Sequence, residues 1–201
     1  MEADSAGIIR PLASILDRLD LAALFRSPGP VEVELGSGDG SFLVDYAVRN
    51  PATNFIGVER LAGRLRKLGR KGKRAGLTNL VGLRIESSYF LEFLLPPASI
   101  SAIHVYFPDP WPKRKHRHFR LINERFTHLA AGVLGDGGDV HLRTDDTDYH
   151  TQMCQVFGSD PRFVPAKPGV GLIALSTDFE RGFNARGIPT LSASYRLLKR
   201  Q

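Results

Sequence analysis

The stretch VEVELGSGDGSFLVDYAV, residues 31–48, decides the fold. Residues 31–35 have the composition of a short strand, the next five are rich in glycine, and apolar residues recur at helical spacing from 41 to 48. A strand, a glycine turn and a helix in this order are typical of the first βαβ unit of a nucleotide-binding fold. We therefore predict a parallel sheet that starts here. The alternative is a strand-to-helix turn with a purely structural role.

The same alternation of strands and helices continues along the chain. We predict a leading helix over residues 6–25, ended by the turn SPGP, within a first segment of residues 1–30. Further strands are predicted at 55–58, 80–85, 102–107, 140–143, near Phe163 and at 191–197, with helices at 61–75, 89–95, 121–133 and 149–157. This alternation predicts right-handed parallel crossovers and a doubly wound α/β sheet in one domain, residues 1–201.

Composition narrows the class of protein. The 201 residues include 27 lysines and arginines against 21 acids, a net charge of +6 that favours an anionic partner. The single cysteine, Cys154, excludes an internal disulfide and a paired-cysteine zinc site, and is consistent with a reducing compartment. No apolar run approaches the roughly 20 residues of a membrane span, and the first residues do not resemble a signal peptide. We expect a cytoplasmic protein with no membrane partner.

Acidic residues follow four successive predicted strands. They are Glu59, Glu86, Asp109 and Asp145, and Glu34 lies inside the first strand. In an open parallel sheet, the carboxyl ends of the strands form the edge where ligands bind. We therefore expect these carboxylates to line a binding site.

The glycine loop favours one class of cofactor. Its pattern is G-x-G-x-G, with Ser41 where a dinucleotide fingerprint needs a third glycine. Acids beside the loop would repel a phosphate but suit a cation, and S-adenosyl-L-methionine carries a sulfonium, an ammonium and no phosphate. We predict this cofactor, with Glu59 accepting hydrogen bonds from both ribose hydroxyls. Glu86 either reaches the adenine amino group or is an acid at a helix start, where Ser87 and Ser88 are equally good caps.

The stretch VYFPDPWPKRKHRHFR, residues 105–120, predicts a second functional loop. Proline on both sides of Asp109 makes the loop stiff, and a dense basic run follows it. Such a loop can hold a polyanion by its phosphates while one carboxylate addresses a more specific group. A structural turn followed by a solvated basic face is the alternative.

Three further patterns complete the prediction. A second basic run at residues 60–74 is more typical of an RNA backbone contact than of a membrane face. The acids at 145–148 more often include a helix N-cap, which we assign to Asp148, than a metal site, so no metal is expected. The spacing of Thr177 and Glu180 predicts a capping box.

Taken in order, these motifs resemble the bacterial tRNA (guanine-N7-)-methyltransferases. They are VEVELGSGDG, FIGVER, Glu86, FPDPWPKRKHR, LRTDD and TDFERG. The resemblance spans residues 31–195, and FPDPW with its basic run is its most specific part. It implies a Rossmann-like class I methyltransferase fold with a mostly parallel sheet and an antiparallel last strand. It also implies transfer of a methyl group from S-adenosyl-L-methionine to N7 of a guanosine in the variable loop of tRNA (position 46 in standard tRNA numbering).

The resemblance also implies residue roles. The cofactor site would include Glu34, Gly36, Gly38, Glu59, Glu86 and Asp109, with Asp109 as the catalytic residue. The substrate would contact Lys113, Asp145, Thr177, Asp178, Phe179 and Glu180. The RNA would contact Lys115, His116, Arg117, His118, Phe119 and Arg120.

Two other classes of function remain open from the sequence alone. A nicotinamide-dependent oxidoreductase would explain the fold and Glu59, but not the basic clusters. A non-catalytic RNA-binding protein would explain the charge, but not four acids at strand ends. Cofactor binding and methyl transfer separate these alternatives.

Overall fold

From Val31 onward, short buried strands alternate with helices in the computed structural model of the protein. The structure describes residues 7–199, apart from the side chains of Asp178 and Phe179. The chain divides into two compact units, with the boundary between Pro96 and Pro97. We describe each unit by itself, and the expectation of a single domain stays a prediction.

The first unit is a parallel sheet with helices in the connections. Its strands are β1 (Ile9–Arg10), β2 (Val31–Leu35), β3 (Asn54–Val58) and β4 (Leu80–Leu83). Its helices are α1 (Leu21–Leu24), α2 (Ser41–Arg49), α3 (Ala62–Arg74) and α4 (Ser87–Tyr89), and α4 continues as a π-helical turn, Phe90–Leu94. The strand order is β1-β4-β3-β2, and every pairing within this unit is parallel. The glycine loop and Glu59, which follow β2 and β3, therefore lie at the same edge of the sheet.

The leading helix predicted over residues 6–25 is wrong for the part that the structure describes. Ile9 pairs with Gly82 in β4, and the Ile8 carbonyl oxygen accepts a hydrogen bond from the Gly82 N–H at 2.8 Å. The open edge of β4 offers this segment backbone partners, and its apolar side chains pack on α3. Within residues 7–25, only Leu21–Leu24 is helical, with Asp20 as its N-cap.

The second unit combines parallel and antiparallel pairings. Its strands are β5 (Ile100–Tyr106), β6 (Leu134–Thr144), β7 (Phe163–Pro165) and β8 (Leu191–Leu197). Its helices are α5 (Glu124–Val133), α6 (Thr147–Gly158), α7 (Val170–Ile173) and α8 (Asp178–Asn184), with a 3₁₀ segment at Arg114–Phe119. Strands β5 and β6 are parallel, whereas β8 is antiparallel to both β6 and β7. The mostly parallel α/β class with an antiparallel last strand is therefore confirmed.

Several element boundaries differ from the prediction for identifiable reasons. Strand β6 starts at Leu134, six residues early, because the glycine-rich stretch directly after α5 belongs to the strand and pairs through an irregular register. Helix α5 starts at Glu124, where the Asn123 side chain accepts a hydrogen bond from the Phe126 N–H. The N-cap of α6 is Asp146, so its assignment to Asp148 is wrong.

Among residues 7–199, no helix has the length and apolar composition that crossing a bilayer requires.

Candidate active site

The glycine loop of the first unit is shaped by main-chain geometry. Gly36, Gly38 and Gly40 have φ values of 76°, 58° and 76°, in the left-handed region that favours glycine. The N–H groups of Gly36 and Ser37 both donate to the Val58 carbonyl oxygen, each at 2.9 Å. The loop is therefore fixed to the end of β3.

Glu59 organises the same loop through both of its carboxylate oxygens. Oε2 accepts a hydrogen bond from the Gly38 N–H at 3.1 Å, and Oε1 accepts one from the Leu61 N–H at 2.7 Å. The residue is buried, so these bonds hold the loop and the start of α3 together. Each carboxylate oxygen can accept more than one hydrogen bond. The predicted bonds to ribose hydroxyls thus remain compatible with the structural role.

The loop leaves room on one side for a ligand. A Cβ atom built on Gly36 would meet no other atom within 4 Å, whereas one built on Gly40 would lie 2.6 Å from Leu68 Cγ. The Ser37 hydroxyl is buried and has no hydrogen-bond partner among the described residues. Glu34 is also buried, one residue before the end of β2. A cradle with buried carboxylates and an unpaired hydroxyl fits a cationic, phosphate-free cofactor.

Two other acids of the first unit have clear local partners. Glu86 is exposed and is the N-cap of α4, where it accepts hydrogen bonds from Ser88 N–H at 2.9 Å and Tyr89 N–H at 2.8 Å. The prediction that Glu86 is an acid at a helix start is therefore confirmed, and Glu86 itself is the cap. Its contact with adenine stays a prediction. Asp39 accepts a 2.8 Å bond from Lys71; burial alone would raise its pKa, but hydrogen bonds lower the net pKa.

The Pro-Asp-Pro loop of the second unit carries backbone strain around its carboxylate. Phe107 and Trp111 have φ values of 50° and 43°, which are costly for residues other than glycine. They bracket Asp109, which lies between its two prolines with an exposed side chain. Strained residues of this kind are concentrated at functional sites. The loop presents Asp109 just beyond the end of β5.

Arg120 holds this loop from behind, so its predicted RNA contact is wrong. The side chain is only 1% exposed. Its Nε donates to the Pro110 carbonyl oxygen at 2.7 Å, Nη1 to Gln152 Oε1 at 2.8 Å and Nη2 to Asp148 Oδ2 at 2.7 Å. The guanidinium also lies 4.7 Å from the Tyr149 ring centre. Because its donors are used internally, Arg120 positions the residue next to Asp109.

The neighbouring basic residues are exposed, unlike Arg120. Arg117 shares Asp148 with Arg120 at 2.9 Å but keeps 45% of its side-chain surface. The hydrogen bond from Arg120, with the nearby Arg117 charge, lowers the pKa of Asp148 despite a small opposing effect of burial. The Trp111 ring packs against His116 and Phe119, with ring centres 5.9 and 5.1 Å apart.

The remaining members of the predicted RNA-contacting set also lie in or next to the 3₁₀ segment. The side chains of Lys115, His118 and Phe119 are exposed there, as is that of Lys113, which is predicted to contact the substrate. Their contacts with RNA or substrate stay predictions.

A buried arginine that sequence reasoning missed ties α8 to β6. Arg143 Nη1 donates to Glu180 Oε2 at 2.9 Å and to the Leu175 carbonyl oxygen at 2.6 Å, and Nη2 donates to the Leu172 carbonyl oxygen at 2.7 Å. The Arg143 and Glu180 side chains are 9% and 15% exposed. One signal was present in the sequence: a charged residue inside an apolar strand must find a buried partner.

The predicted capping box is confirmed at the start of α8. The Thr177 hydroxyl accepts a hydrogen bond from the Glu180 N–H at 3.0 Å, and Glu180 Oε2 accepts one from the Thr177 N–H at 3.2 Å. The Phe183 ring of this helix stacks on Phe107 at 5.6 Å. The last turn of α8 therefore packs against Phe107, the residue that follows β5 and begins the Asp109 loop. The side chains of Asp178 and Phe179 lie outside the described set.

Asp145 follows β6 directly and is half-buried. Because Tyr106 is the parallel partner of Arg143, the ends of β5 and β6 meet at one edge. Asp109 and Asp145 thus follow neighbouring strand ends. Within residues 7–199, no group of three or more histidine, cysteine or acidic side chains is arranged to hold a metal ion. The expectation of a metal-free site stays a prediction.

Comparison with known proteins identifies the family. Residues 28–187 match the family model described as "Putative methyltransferase". The chain belongs to this methyltransferase family.

Curated relatives of this family member carry one shared name. A tRNA (guanine-N(7)-)-methyltransferase from Bordetella pertussis is 36% identical over 143 residues, which cover 71% of this chain and 56% of the relative. Another from Chromohalobacter salexigens is 37% identical over 151 residues, covering 75% of this chain and 61% of the relative. The chain thus aligns with somewhat more than half the length of these relatives.

Solved structures support the fold of this methyltransferase family member. The 16S rRNA methyltransferase KamB superposes with a TM-score of 0.64 at 15% identity, covering 90% of this chain and 95% of KamB. TrmN from Thermus thermophilus gives a TM-score of 0.62 at 19% identity, covering 88% of this chain and 48% of TrmN. The predicted Rossmann-like class I methyltransferase fold is confirmed. S-adenosyl-L-methionine as the methyl donor stays a prediction.

Proposed function

We propose that this protein transfers a methyl group from S-adenosyl-L-methionine to N7 of a guanosine in the variable loop of tRNA, in the bacterial cytoplasm. The observation that carries the proposal is the loop of residues 107–120. It fixes one exposed carboxylate, Asp109, directly beside an exposed basic turn. Relatives at 36–37% identity are named tRNA (guanine-N(7)-)-methyltransferase, which adds support.

The glycine loop and its acids would hold the cofactor in the first unit. S-adenosyl-L-methionine supplies an electrophilic methyl group on a sulfonium. The buried carboxylates of Glu34 and Glu59 suit its positive groups and ribose hydroxyls, and the open side of Gly36 accepts a close ligand. Glu59 is already fixed by two backbone N–H groups, so binding requires little reorganisation of the loop.

Asp109 would orient the target base. Guanine N7 carries a free lone pair at neutral pH, so the transfer needs positioning rather than a strong base. A carboxylate can accept hydrogen bonds from the guanine N1–H and amino group, and it balances the positive charge that the ring gains. The two prolines, the strained residues Phe107 and Trp111, and the Arg120 bond to Pro110 keep this carboxylate in place.

Residues around Asp109 would bind the rest of the substrate. The exposed cations Lys113, Lys115 and Arg117 suit phosphate contacts, and the exposed ring of Phe119 on the same short turn suits stacking on a base. Thr177 and Glu180 are held at the start of α8 by their capping box and by Arg143. Asp145 lies at the neighbouring strand end.

The direct test is methyl transfer from labelled S-adenosyl-L-methionine to unmodified tRNA, followed by reduction and aniline cleavage to locate N7-methylguanosine. We expect one cleavage site, in the variable loop. Cofactor binding without incorporation into tRNA would contradict the proposal and leave the fold intact.

The role of Asp109 has its own prediction. Replacing it by asparagine removes the negative charge while preserving size, so we expect turnover with tRNA to fall by about 100-fold. The cofactor affinity, measured by calorimetry, separates a cofactor contact from a substrate contact. The control is Asp17→Asn, the same change at an exposed carboxylate of the first unit, with unchanged turnover. Full turnover of Asp109→Asn would exclude this role.

A further inference from the structure

The outward face of α3 is the most concentrated positive surface in the first unit. Five cations lie on it, namely Arg66, Lys67, Arg70, Lys73 and Arg74, and all five are exposed. The helix contains no acidic residue. Within residues 7–199, none of the five forms an ion pair or a side-chain hydrogen bond, whereas Lys71 on the flank of the helix pairs with Asp39 at 2.8 Å. We call these five residues the α3 basic face.

The opposite face of α3 is fully used in packing. Leu65 and Leu68 are buried, at 2% and 0% exposure. A Cβ atom on Gly69 would lie 2.8 Å from Ile9 Cδ1, and one on Gly72 would lie 3.1 Å from Leu80 Cδ2. Two glycines, each costly inside a helix, therefore allow the close approach of α3 to its sheet. A helix that lies in a membrane interface needs a free apolar face, whereas the apolar face of α3 is packed against the sheet.

The charge pattern is unfavourable for an isolated helix. The pairs Arg66 with Arg70 and Arg70 with Arg74 are four residues apart, where like charges destabilise a helix by about 0.2–0.5 kcal/mol per pair. The helix dipole favours cations in the last turn, which accounts for Lys73 and Arg74 but not for Arg66 or Lys67. A local cost without a structural gain is typical of a binding function.

We propose that the α3 basic face binds the phosphate backbone of the tRNA substrate. The inference rests on the proposed function, which supplies RNA as the polyanion. Successive residues of a helix rise by about 1.5 Å, so Arg66 to Arg74 covers about 12 Å. That length is comparable with three or four successive phosphates of a strand. Contacts to phosphates carry no sequence information directly, so we expect this contact to be independent of sequence.

The test compares two triple variants that lose the same charge. The first is Arg66→Gln, Arg70→Gln and Lys73→Gln, on the α3 basic face. The control is Arg26→Gln, Arg49→Gln and Lys199→Gln, three exposed cations elsewhere. Each variant lowers the net charge from +6 to +3. Binding of unmodified tRNA is measured by filter retention at several salt concentrations, and thermal unfolding checks that both variants fold.

We expect the α3 variant to bind tRNA about 10-fold or more weakly at low salt. The slope of log affinity against log salt should become shallower by about 2–3, since each lost phosphate contact accounts for about 0.7–0.9. The control should match the wild type, and the affinity for S-adenosyl-L-methionine should not change in either. Equal tRNA binding by the two variants would overturn the proposal. Polyglutamate serves as a probe for an acidic protein partner. If the α3 variant kept its tRNA binding but lost binding to polyglutamate, the proposal would be overturned in favour of such a partner.

This result is independent of whether the reaction is correct. A wild-type protein that binds tRNA but transfers no methyl group would contradict the proposed function, while the salt slopes would still decide the role of the α3 basic face. Conversely, the α3 variant and the control could have identical salt slopes while methyl transfer is normal. That result would support the proposed reaction and exclude the α3 basic face as a tRNA-binding surface.

Discussion

The two loops of this protein that follow strand ends are built in opposite ways. The loop at residues 36–40 is held by the main chain: three glycines at positive φ, the Val58 carbonyl oxygen, and Glu59 bonded to backbone N–H groups. The loop at residues 107–120 is held by side chains, above all by buried Arg120. A main-chain loop leaves a sequence signature at fixed spacing, whereas a side-chain clamp does not.

The strands of the two units show a related contrast. In the first unit, β3 and β4 bury almost entirely apolar side chains, such as Phe55, Ile56 and Leu83. In the second unit, β5 and β6 bury His104, His141 and Arg143 at neighbouring positions. The second unit therefore depends on buried polar groups being correctly paired, and such groups are costly when they lose a partner.

The largest expected effect tests the main-chain loop. Gly40→Ala adds a Cβ atom at positive φ and 2.6 Å from Leu68 Cγ. Backbone strain and overpacking together should lower the free energy of unfolding by about 2–4 kcal/mol, measured by urea denaturation.

Gly36→Ala is the matched variant, because its φ is the same but its Cβ atom meets nothing within 4 Å. We expect a loss of only about 1 kcal/mol in stability together with weaker binding of S-adenosyl-L-methionine. If Gly36→Ala were as unstable as Gly40→Ala, the open side of the loop would not exist as described. If it bound the cofactor normally, the ligand would not approach Gly36.

The next effect tests the side-chain clamp. Arg120→Met keeps much of the buried volume but removes the bonds to Pro110, Gln152 and Asp148. We expect a loss of about 2–3 kcal/mol in the free energy of unfolding, since three part-buried hydrogen bonds from a fully buried guanidinium are lost. Turnover with tRNA should fall further than this instability alone explains, because Pro110 adjoins Asp109.

Arg117→Met is the control for this change, since Arg117 pairs with the same Asp148 but is 45% exposed. An exposed ion pair contributes about 0–1 kcal/mol, so stability should change little. The stability of both variants is measured by thermal unfolding. If the two variants were equally destabilised, the burial of Arg120 would not be what holds the loop.

The contrast between the two loops explains how much of the fold could be predicted from the sequence. The strands at 31–35 and 191–197 are predicted with their observed limits, because apolar periodicity and flanking breakers mark them. The helix predicted for the leading segment was wrong because Ile8 and Ile9 fit helical spacing and strand pairing equally well. Only the open edge of β4 decides between them, and that edge is a tertiary feature.

The same limit applies to the candidate site. Glu59 and the glycines could be placed from the order strand, turn, helix, because backbone geometry requires these residue types there. Arg120 could not be separated from the exposed cations before it, since burial is not encoded in a basic run. Arg143 could have been suspected, as an isolated charge in a buried strand. Its partner Glu180 lies 37 positions later in the chain, so this pairing could not have been predicted from the sequence.

A last expected effect concerns the buried polar face of the second unit and its dependence on pH. Burial, with the nearby charges of His104, Arg143 and Arg196, lowers the pKa of His141 to about 3. Its ring stacks on His104 at 5.2 Å and its Nδ1 lies 2.9 Å from Ser194 Oγ. An unfolded histidine has a pKa near 6.5. Between these values the unfolded chain binds a proton that the folded protein excludes.

The sign of the effect follows from this difference. The stability contributed by neutral His141 is fully present above pH ~6.5 and decreases as the pH falls toward 3, by at most about 1.4 kcal/mol per pH unit. Urea denaturation from pH 7 to pH 4 should therefore show a shallower loss for His141→Gln than for the wild type. The control His128→Gln, at an exposed position, should follow the wild-type curve. If His141→Gln also followed it, His141 would be protonated in the folded protein, and the second unit would be no more sensitive to acid through this residue than the apolar strands of the first.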